Sequence, residues 1–308
     1  MPSVQSRDID ELYRWYRATA DAMIEKSIAT NTPLSMADFR KISFFTLTRE
    51  PSAVRYTLVD ADGVPGIWVD PEGGAKDKVM LYFHGGAYVH ETADTYKWFC
   101  GHVANTAGCR VLIVDYRLAP ENPFPAQIED AIVAYSWLLD QGYRSEDLAL
   151  AGDSAGGGLA LALLLAIKKS GESLPVGAVS MSGWLDLTGS NPLLKSRESV
   201  DLLVTQKGSV ENSAIVLAGA DPKDPLASPI FGDFTGIETN IYLQVGGSEG
   251  LLGENMDMVV RLGQQGVHVT LEVFPQMQHF FQQGAGYIPE SNAALQKIGA
   301  FLKPLLKL

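Results

Sequence analysis

The chain has 308 residues, of which 46% are hydrophobic and 19% are charged, a composition that excludes an intrinsically disordered protein. Its 36 aspartates and glutamates outweigh its 24 lysines and arginines and give a formal net charge of −12. Because a field of that sign repels phosphate backbones and anionic lipid surfaces, we expect neither a nucleic acid nor a membrane surface as a partner.

The start of the chain and the cysteines bear on the compartment. No basic segment followed by an apolar core opens the sequence, and the longest apolar run, residues 159–167, is too short for a membrane span. The only two cysteines, Cys100 and Cys109, lack the spacing of a metal site, and we interpret them as reduced thiols. These features predict a cytoplasmic protein without a membrane span.

The spacing of apolar residues predicts helices first, and then strands that alternate with helices. Residues 1–48 show helical spacing, with a second helix that begins after Ser35 and ends at Phe44 and Phe45. Strand-like runs are predicted at 54–59, 66–69, 79–83, 111–114, 148–151, 176–181, 241–245 and 268–274. Helices are predicted at 96–107, 126–140, 255–265 and 292–305, with one more that follows strand 148–151 and ends at 169. Apolar strands followed by helices are typical of a parallel sheet covered on both faces, and so of an α/β fold.

The domain organisation follows from where this alternation holds. It lapses over residues 185–235, a stretch rich in Ser, Asp, Pro and Lys, and it resumes afterwards. Neither an internal repeat nor a long linker divides the chain. The prediction is therefore one α/β domain over residues 49–308, preceded by a helical arm over 1–48 and interrupted by the insertion at 185–235.

A G-x-S-x-G motif centred on Ser154 gives the sharpest indication of chemistry. The motif lies between an apolar strand and an apolar helix, where a tight turn exposes the serine Oγ in a strained backbone conformation. Gly152 and Gly156 leave room for the neighbouring backbone, and the amide of Ala155 at the helix N-terminus can donate to an oxyanion. The pattern predicts Ser154 as a nucleophile, with an ordinary glycine-rich turn as the alternative.

A glycine pair follows the predicted strand 79–83. Without side chains, Gly85 and Gly86 allow two backbone amides to converge on one point, as the oxyanion of a tetrahedral intermediate requires. We interpret His84 as an anchor of this loop and His90 as a scaffold residue. A catalytic base is expected later in the chain, after the nucleophile and the acid.

That order is available after Ser154. Glu249 and His279 each directly follow a predicted strand, so both lie at the sheet edge that carries Ser154. Glu254 and Asp257 lie within two helical turns of Glu249, and they remain the alternatives for the acid.

Five motifs together resemble the hormone-sensitive-lipase-like esterases (bacterial family IV) of the α/β-hydrolase fold, over about residues 50–308. The motifs are H-G-G at 84–86, D-Y-R-L-A-P-E at 115–121, G-D-S-A-G at 152–156, G-x-x-acid-x-L at 246–251 and P-x-M-x-H at 275–279. The resemblance implies Ser154 as nucleophile, His279 as base and Glu249 as acid. It also implies an oxyanion hole made by the amides of Gly85, Gly86 and Ala155, and a helical cap made by the arm and part of the insertion.

Three positions depart from the pattern of that family. Ala87 replaces the third glycine of the loop, which we expect to be tolerated if the first two glycines carry the donors. Glu249 stands where aspartate is commoner, and its extra methylene requires only a slightly retracted backbone. Gly253 stands where a supporting acid is usual, so that contact is not expected here.

These residues predict a carboxylic-ester hydrolase that acts on short- to medium-chain small-molecule esters through an acyl-enzyme, without a metal or an organic cofactor. Amidases, formamidases and acyltransferases use the same triad, and the sequence does not separate them. A non-catalytic receptor on the same scaffold, as in the plant gibberellin receptors, is disfavoured because those receptors lack the triad histidine. A homodimer is the assembly that we consider beside a monomer.

The arm over residues 1–48 is dense in aromatic residues for a segment that precedes the first strand. An isolated arm could not bury them, so they pack either on one face of the sheet or over the acyl pocket, together with residues of 185–235. In the second arrangement an apolar roof limits the length of the acyl chain. The aromatic residues concerned are Tyr13, Trp15, Tyr16, Phe39, Phe44 and Phe45.

Overall fold

A computed structural model describes residues 3–30, 32, 35–42 and 47–308 of the chain. Its centre is an eight-stranded sheet. The strands are β1 (Val54–Ala61), β2 (Val64–Pro71), β3 (Ala75–Phe83), β4 (Cys109–Val114), β5 (Leu148–Asp153), β6 (Gly177–Met181), β7 (Asn240–Gly246) and β8 (Val269–Phe274). The α-helices are α1 (Ser6–Thr30), α2 (Met36–Phe39), α3 (Ala93–Ala107), α4 (Ala126–Asp140), α5 (Ser154–Ser170), α6 (Pro192–Ser196), α7 (Gln206–Leu217), α8 (Leu252–Gln264) and α9 (Pro289–Leu306).

The strands lie side by side in the order β1-β2-β4-β3-β5-β6-β7-β8. The pairs β1–β2 and β2–β4 are antiparallel, and every pair from β4 to β8 is parallel. The carboxyl ends of the parallel strands therefore meet at one edge of the sheet, where α/β proteins place their sites. The predicted α/β fold with a mostly parallel sheet is confirmed.

Strand β5 shows why the sheet is buried on both faces. Successive side chains of a strand point to opposite sides, and every position of β5 is buried. Leu148 and Leu150 belong to the core that includes residues of α4 and α5, whereas Ala149 and Ala151 belong to the core that includes residues of α3 and α9. An unbroken apolar run is therefore what this central strand requires.

Helix α5 is buried along most of its length, from Ala155 to Ile167. A helix that is apolar on all sides belongs inside a protein. Because α5 is fixed in this way at the middle of the sheet, its first residue, Ser154, is held at a rigid position on the carboxyl edge.

The segments 1–48 and 185–235 differ from expectation in their helices. The second helix of the arm ends at Phe39, and the end predicted at Phe44 and Phe45 lies outside the described residues. The insertion contains two helices that were not predicted, α6 and α7. Helix α7 shows no apolar periodicity in the sequence because it is built largely from small and polar residues. Its start was nevertheless marked in the sequence by Thr205, whose side chain caps the helix by accepting a hydrogen bond from the Gly208 amide at 3.0 Å.

The structure shows the state of the two cysteines and whether any described helix could cross a membrane. Cys100 and Cys109 are both free and buried. Burial raises the pKa of the Cys109 thiol to about 12 and that of Cys100 well above its usual range. In the described part of the chain, no helix is both long enough and apolar enough to cross a bilayer.

Candidate active site

Ser154 lies at the turn between β5 and α5, with its backbone in the left-handed region at φ 50°. Glycines surround this turn because the chain comes close to itself. A Cβ at Gly156 would overlap the carbonyl oxygens of Phe83 and His84, and a Cβ at Gly152 would overlap the backbone of Gly156. Glycines stand two residues before and two residues after Ser154 because the backbone there leaves no room for side chains, while Ser154 itself is held in a strained conformation.

Glu249 and His279 are brought together from the loops that follow β7 and β8. The Nδ1 atom of His279 lies 2.8 Å from Oε2 of Glu249, and both side chains are buried. Oε1 of the same carboxylate accepts hydrogen bonds from the Ser182 hydroxyl, at 2.8 Å, and from the amide of Gly246. The carboxylate is thus held from two sides and presents one oxygen to the imidazole.

The two alternative acids lie elsewhere. The carboxylate of Glu254 is fully buried and accepts hydrogen bonds from the amides of Leu185 and Asp186. Asp257 accepts a hydrogen bond from the Asn191 side chain at 3.0 Å. Among these acids, the carboxylate that the structure pairs with the imidazole is that of Glu249.

This pairing changes the basicity of His279. Burial disfavours the charged imidazolium, but the hydrogen bond with Glu249 and the nearby carboxylates, including Asp201, outweigh burial. The pKa of His279 therefore lies above its ordinary value. Since Nδ1 is taken by Glu249, Nε2 is the nitrogen left to exchange a proton with a serine hydroxyl.

The oxyanion loop corrects one expectation. The amide of Gly85 donates to the Tyr96 hydroxyl at 3.0 Å and to Oδ1 of Asp153 at 3.1 Å, so it is not available to an oxyanion. Gly86 and Ala87 line the same pocket as Ser154, and within the described residues neither of their amides is paired with another protein group. Both residues have positive φ, 100° for Gly86 and 53° for Ala87. The backbone therefore turns at these two positions, and the direction of their amides changes with it. The loop donors that the geometry favours are those of Gly86 and Ala87.

Asp153 holds this loop, a role that the sequence interpretation missed. Its carboxylate accepts hydrogen bonds from the hydroxyls of Tyr82, at 2.7 Å, and Tyr96, at 2.8 Å, in addition to the Gly85 amide. Burial raises the pKa of Asp153 to about 7, against the opposing effect of these hydrogen bonds. The sequence does show an acid directly before the predicted nucleophile, which could have indicated this role. Its partners Tyr82 and Tyr96, however, look like ordinary core residues in the sequence.

The loop of His279 has further supports, which no local motif in the sequence predicts. The buried hydroxyl of Tyr13, in α1, donates to the His279 carbonyl at 2.5 Å and accepts from the Gln283 side chain at 2.6 Å. The Ser182 hydroxyl, besides its bond to Glu249, accepts from the amide of Phe280 at 3.0 Å.

The insertion also supports the loops that carry Glu249 and His279. Asp201 is buried and accepts a hydrogen bond from the Gly250 amide at 2.6 Å, next to Glu249. Gln278, next to His279, accepts from the Leu202 amide and donates to the Val200 carbonyl, each at 3.0 Å. The arm and the insertion are therefore hydrogen-bonded directly to the loops that carry Glu249 and His279.

A pocket of about 900 Å³, including its open mouth, is lined by Ser154 and His279. Its walls are mostly apolar and come from the arm, the oxyanion loop and the insertion. His90, interpreted as scaffold, lies in this wall, with Nε2 3.1 Å from the Phe39 carbonyl, while His84 stacks on Tyr116 at 4.3 Å between ring centroids. Other residues of the wall are Tyr16, Trp184, Leu203, Thr205, Ser209 and Asn212.

The aromatic residues of the arm are placed in different environments. Tyr16 and Phe39 line the pocket, whereas Tyr13 is buried beneath the loop of His279. Trp15 is 51% exposed, which contradicts the expectation that these rings are all packed. Phe44 and Phe45 lie outside the described residues.

Comparisons with known proteins show which family this chain resembles. The family model of the alpha/beta hydrolase fold matches residues 80–283. The chain is 37% identical over 236 residues to an acetyl-hydrolase of Streptomyces hygroscopicus, covering 77% of this chain and 78% of that protein. It is 31% identical over 221 residues to an ethyl acetate hydrolase of Pseudomonas putida, covering 70% of each.

The likeness extends to solved structures over nearly the whole length. An esterase from the bacterial hormone-sensitive lipase family superposes with a TM-score of 0.92 at 35% identity, covering 99% of both chains. An esterase/lipase from an uncultured bacterium superposes with a TM-score of 0.85 at 32% identity, covering 95% of this chain and 99% of that one. The chain therefore belongs to the hormone-sensitive-lipase-like esterases of the α/β-hydrolase fold.

Proposed function

We propose that this protein is a serine carboxylesterase that forms an acyl-enzyme on Ser154. The observation that carries the proposal is the buried Glu249–His279 pair, 2.8 Å apart, which shares one pocket with a serine held on a strained strand-to-helix turn. A nucleophile, a base and an acid that orients the base are the parts that acyl transfer requires.

In the acylation step, Ser154 Oγ attacks the ester carbonyl carbon while Nε2 of His279 takes the hydroxyl proton. Glu249 holds the imidazole in the required tautomer and stabilises the imidazolium that forms. The carbonyl oxygen becomes an oxyanion and accepts hydrogen bonds from the amides of Gly86, Ala87 and Ala155. In related acyl-transfer enzymes, one such donor contributes on the order of 10²–10³ in kcat.

Collapse of the first intermediate breaks the ester C–O bond. The proton on Nε2 of His279 passes to the leaving alkoxide, and the alcohol departs. Water then attacks the acyl carbon as His279 takes one of its protons, and the acid product leaves when the Ser154 oxygen recovers a proton from the imidazolium. Atoms and charges balance over the cycle, and the enzyme returns to its starting state.

We further propose that the arm and the insertion form a cap over this site. Tyr16 and Phe39 of the arm and Leu203 of the insertion contribute apolar wall to the pocket. A wall of this kind limits the chain that fits, which favours short to medium acyl groups. The names of two relatives, an acetyl-hydrolase and an ethyl acetate hydrolase, agree with small esters as substrates.

The test is active-site labelling combined with a substrate panel. A fluorophosphonate probe should add once, at Ser154, and Ser154→Ala should lower kcat on the order of 10⁴–10⁶ while the fold is retained. Hydrolysis of p-nitrophenyl acyl esters of graded length is compared with that of matched anilides, and the esters should be the better substrates. Labelling at another serine would remove the basis of the proposal.

A further inference from the structure

The mostly apolar pocket contains a polar strip on helix α7. Thr205, Ser209 and Asn212 all line the pocket, and their spacing places them near one another on one side of the helix. The surrounding wall includes Trp184 and Leu203, which offer no acceptor to a substrate. Polar groups that are few and fixed in an apolar pocket are the ones that select a ligand by hydrogen bonding.

Thr205 caps α7, but the other two members of the strip, Ser209 and Asn212, are not used by the protein itself. Ser209 is only 8% exposed, and within the described residues neither its hydroxyl nor the Asn212 side chain has a hydrogen-bond partner in the protein. Ser213, one turn further along α7, is also buried, but its hydroxyl donates to the carbonyl of Leu187. The Ser209 oxygen is not one of the fully buried unpaired atoms, so the hydroxyl is open to the pocket and can bind a polar group of a substrate there.

The charges around the strip define the class of that partner. The N-terminus of α7 is already occupied, since the amide of Gln206 donates to the Glu198 carboxylate and the amide of Gly208 donates to Thr205. Neither lysine nor arginine lines the described pocket, so an anionic group finds no permanent positive charge there. The one aspartate in the wall, Asp153, is engaged by its own donors, so a cationic group finds no free counter-charge either.

We propose that the pocket selects esters that carry a neutral hydroxyl or carbonyl group away from the scissile bond, bound by Ser209 and Asn212. A serine hydroxyl and an asparagine amide each offer both a donor and an acceptor, which suits either group. This inference rests on the proposed esterase function, because it concerns how the same pocket recognises its substrate. It adds a substrate class that the apolar wall alone would reject, since a polar group buried there would lose its hydrogen bonds to water.

Two pairs of substrates with matched shape test the proposal. On the acyl side, ethyl 4-oxopentanoate is compared with ethyl 4-methylpentanoate, in which a methyl group replaces the ketone oxygen. On the alcohol side, 4-hydroxybutyl butanoate is compared with pentyl butanoate, in which a methyl group replaces the hydroxyl. Hydrolysis is followed by base consumption at constant pH, and the measured quantity is the ratio of kcat/KM for the polar ester to that for its apolar partner.

In the native enzyme we expect this ratio to exceed one for at least one pair. Ser209→Ala and Asn212→Leu should each lower the ratio about tenfold, the effect of one lost hydrogen bond. The matched control is Ser213→Ala, which removes a hydroxyl from the same helix outside the pocket and should leave the ratio unchanged. Circular dichroism checks folding, and Asn212→Ala replaces Asn212→Leu if the larger side chain disturbs α7.

The outcomes separate this inference from the esterase proposal. If the apolar esters are hydrolysed but the ratio stays below one and is equal in the native enzyme and both strip variants, the polar strip is not a recognition element. The esterase function would then stand alone. If neither member of either pair is hydrolysed, both proposals are wrong.

Discussion

Replacing Tyr13 with phenylalanine tests whether the arm maintains the position of His279, the proposed base. The Tyr13 hydroxyl is buried, donates to the His279 carbonyl at 2.5 Å and accepts from Gln283 at 2.6 Å. The substitution removes only this oxygen and keeps the ring. It leaves a buried carbonyl and a buried side-chain amide without this partner, directly at the loop that presents the imidazole.

The magnitude follows from these two contacts. Each polar group left unpaired in the interior costs about 1–3 kcal/mol, so Tyr13→Phe, which leaves two of them, should lower the free energy of unfolding by about 2–6 kcal/mol. At about 2 °C per kcal/mol for a chain of this size, Tm should fall by about 4–12 °C. Because a displacement of about 1 Å at a catalytic group costs up to 10²-fold, kcat should fall about 10- to 100-fold, with a small change in KM.

Tyr135→Phe is the matched control for this prediction. The hydroxyl of Tyr135, in α4, also donates to a backbone carbonyl, that of Ser173, at 2.6 Å, but neither residue lines the pocket. The control should lose stability and keep its kcat. Melting curves and initial-rate kinetics on one short-chain ester measure both quantities. If Tyr13→Phe loses stability but keeps kcat within twofold of the native value, the arm supports the fold only, and our reasoning about the base is wrong.

Three further predictions concern the acid, the buried aspartate and the pocket wall. Glu249→Gln should lower kcat on the order of 10³–10⁴ and, because it removes the charge that raises the pKa of His279, should move the acidic limb of the kcat/KM profile to lower pH. Glu254→Gln should leave that limb in place, and the reverse result would reassign the acid. Burial raises the pKa of Asp153 to about 7, so the folded state holds this proton where the unfolded state has lost it, and stability should fall by about 4 kcal/mol as pH rises from about 4 to 7. Asp153→Asn should flatten this slope in urea unfolding at pH 5 and pH 8, and parallel curves would contradict the assignment. Phe39→Ala removes part of the pocket wall and should shift the hydrolysed acyl chains to longer ones. An unchanged chain-length profile on p-nitrophenyl esters would show that Phe39 does not limit the pocket.

The parts of the molecule that the sequence predicted are those fixed by local patterns. A buried central strand such as β5 needs apolar residues on both faces, and this leaves an unbroken run that is visible in the sequence. The turn at Ser154 needs glycines on both sides, because side chains there would overlap the backbone. Since parallel strands end at one edge, residues directly after β7 and β8 could be expected near Ser154, and the structure does bring Glu249 and His279 together.

The parts that were missed depend on partners distant in the chain. The direction of the Gly85 amide is set by Asp153, 68 residues away, and by Tyr96. In the sequence, Tyr96 is indistinguishable from an aromatic residue that only packs in the core. Helix α7 was not predicted because its buried positions include Ser209 and Ser213, which do not produce an apolar periodicity. Such features follow from tertiary contacts, and a periodicity or a motif does not contain them.

The hydrogen bonds that join the arm and the insertion to the catalytic loops have a consequence for recombining enzymes of this family. A chimera that exchanges these outer segments between homologues also exchanges Tyr13 and Asp201, which bind the His279 carbonyl and the Gly250 amide. A segment from a homologue that lacks equivalent groups would therefore change the pocket wall and would also displace His279 and Glu249. Productive crossover points are those that transfer each outer segment with its receiving loop, residues 246–251 and 275–284, as a single inherited block.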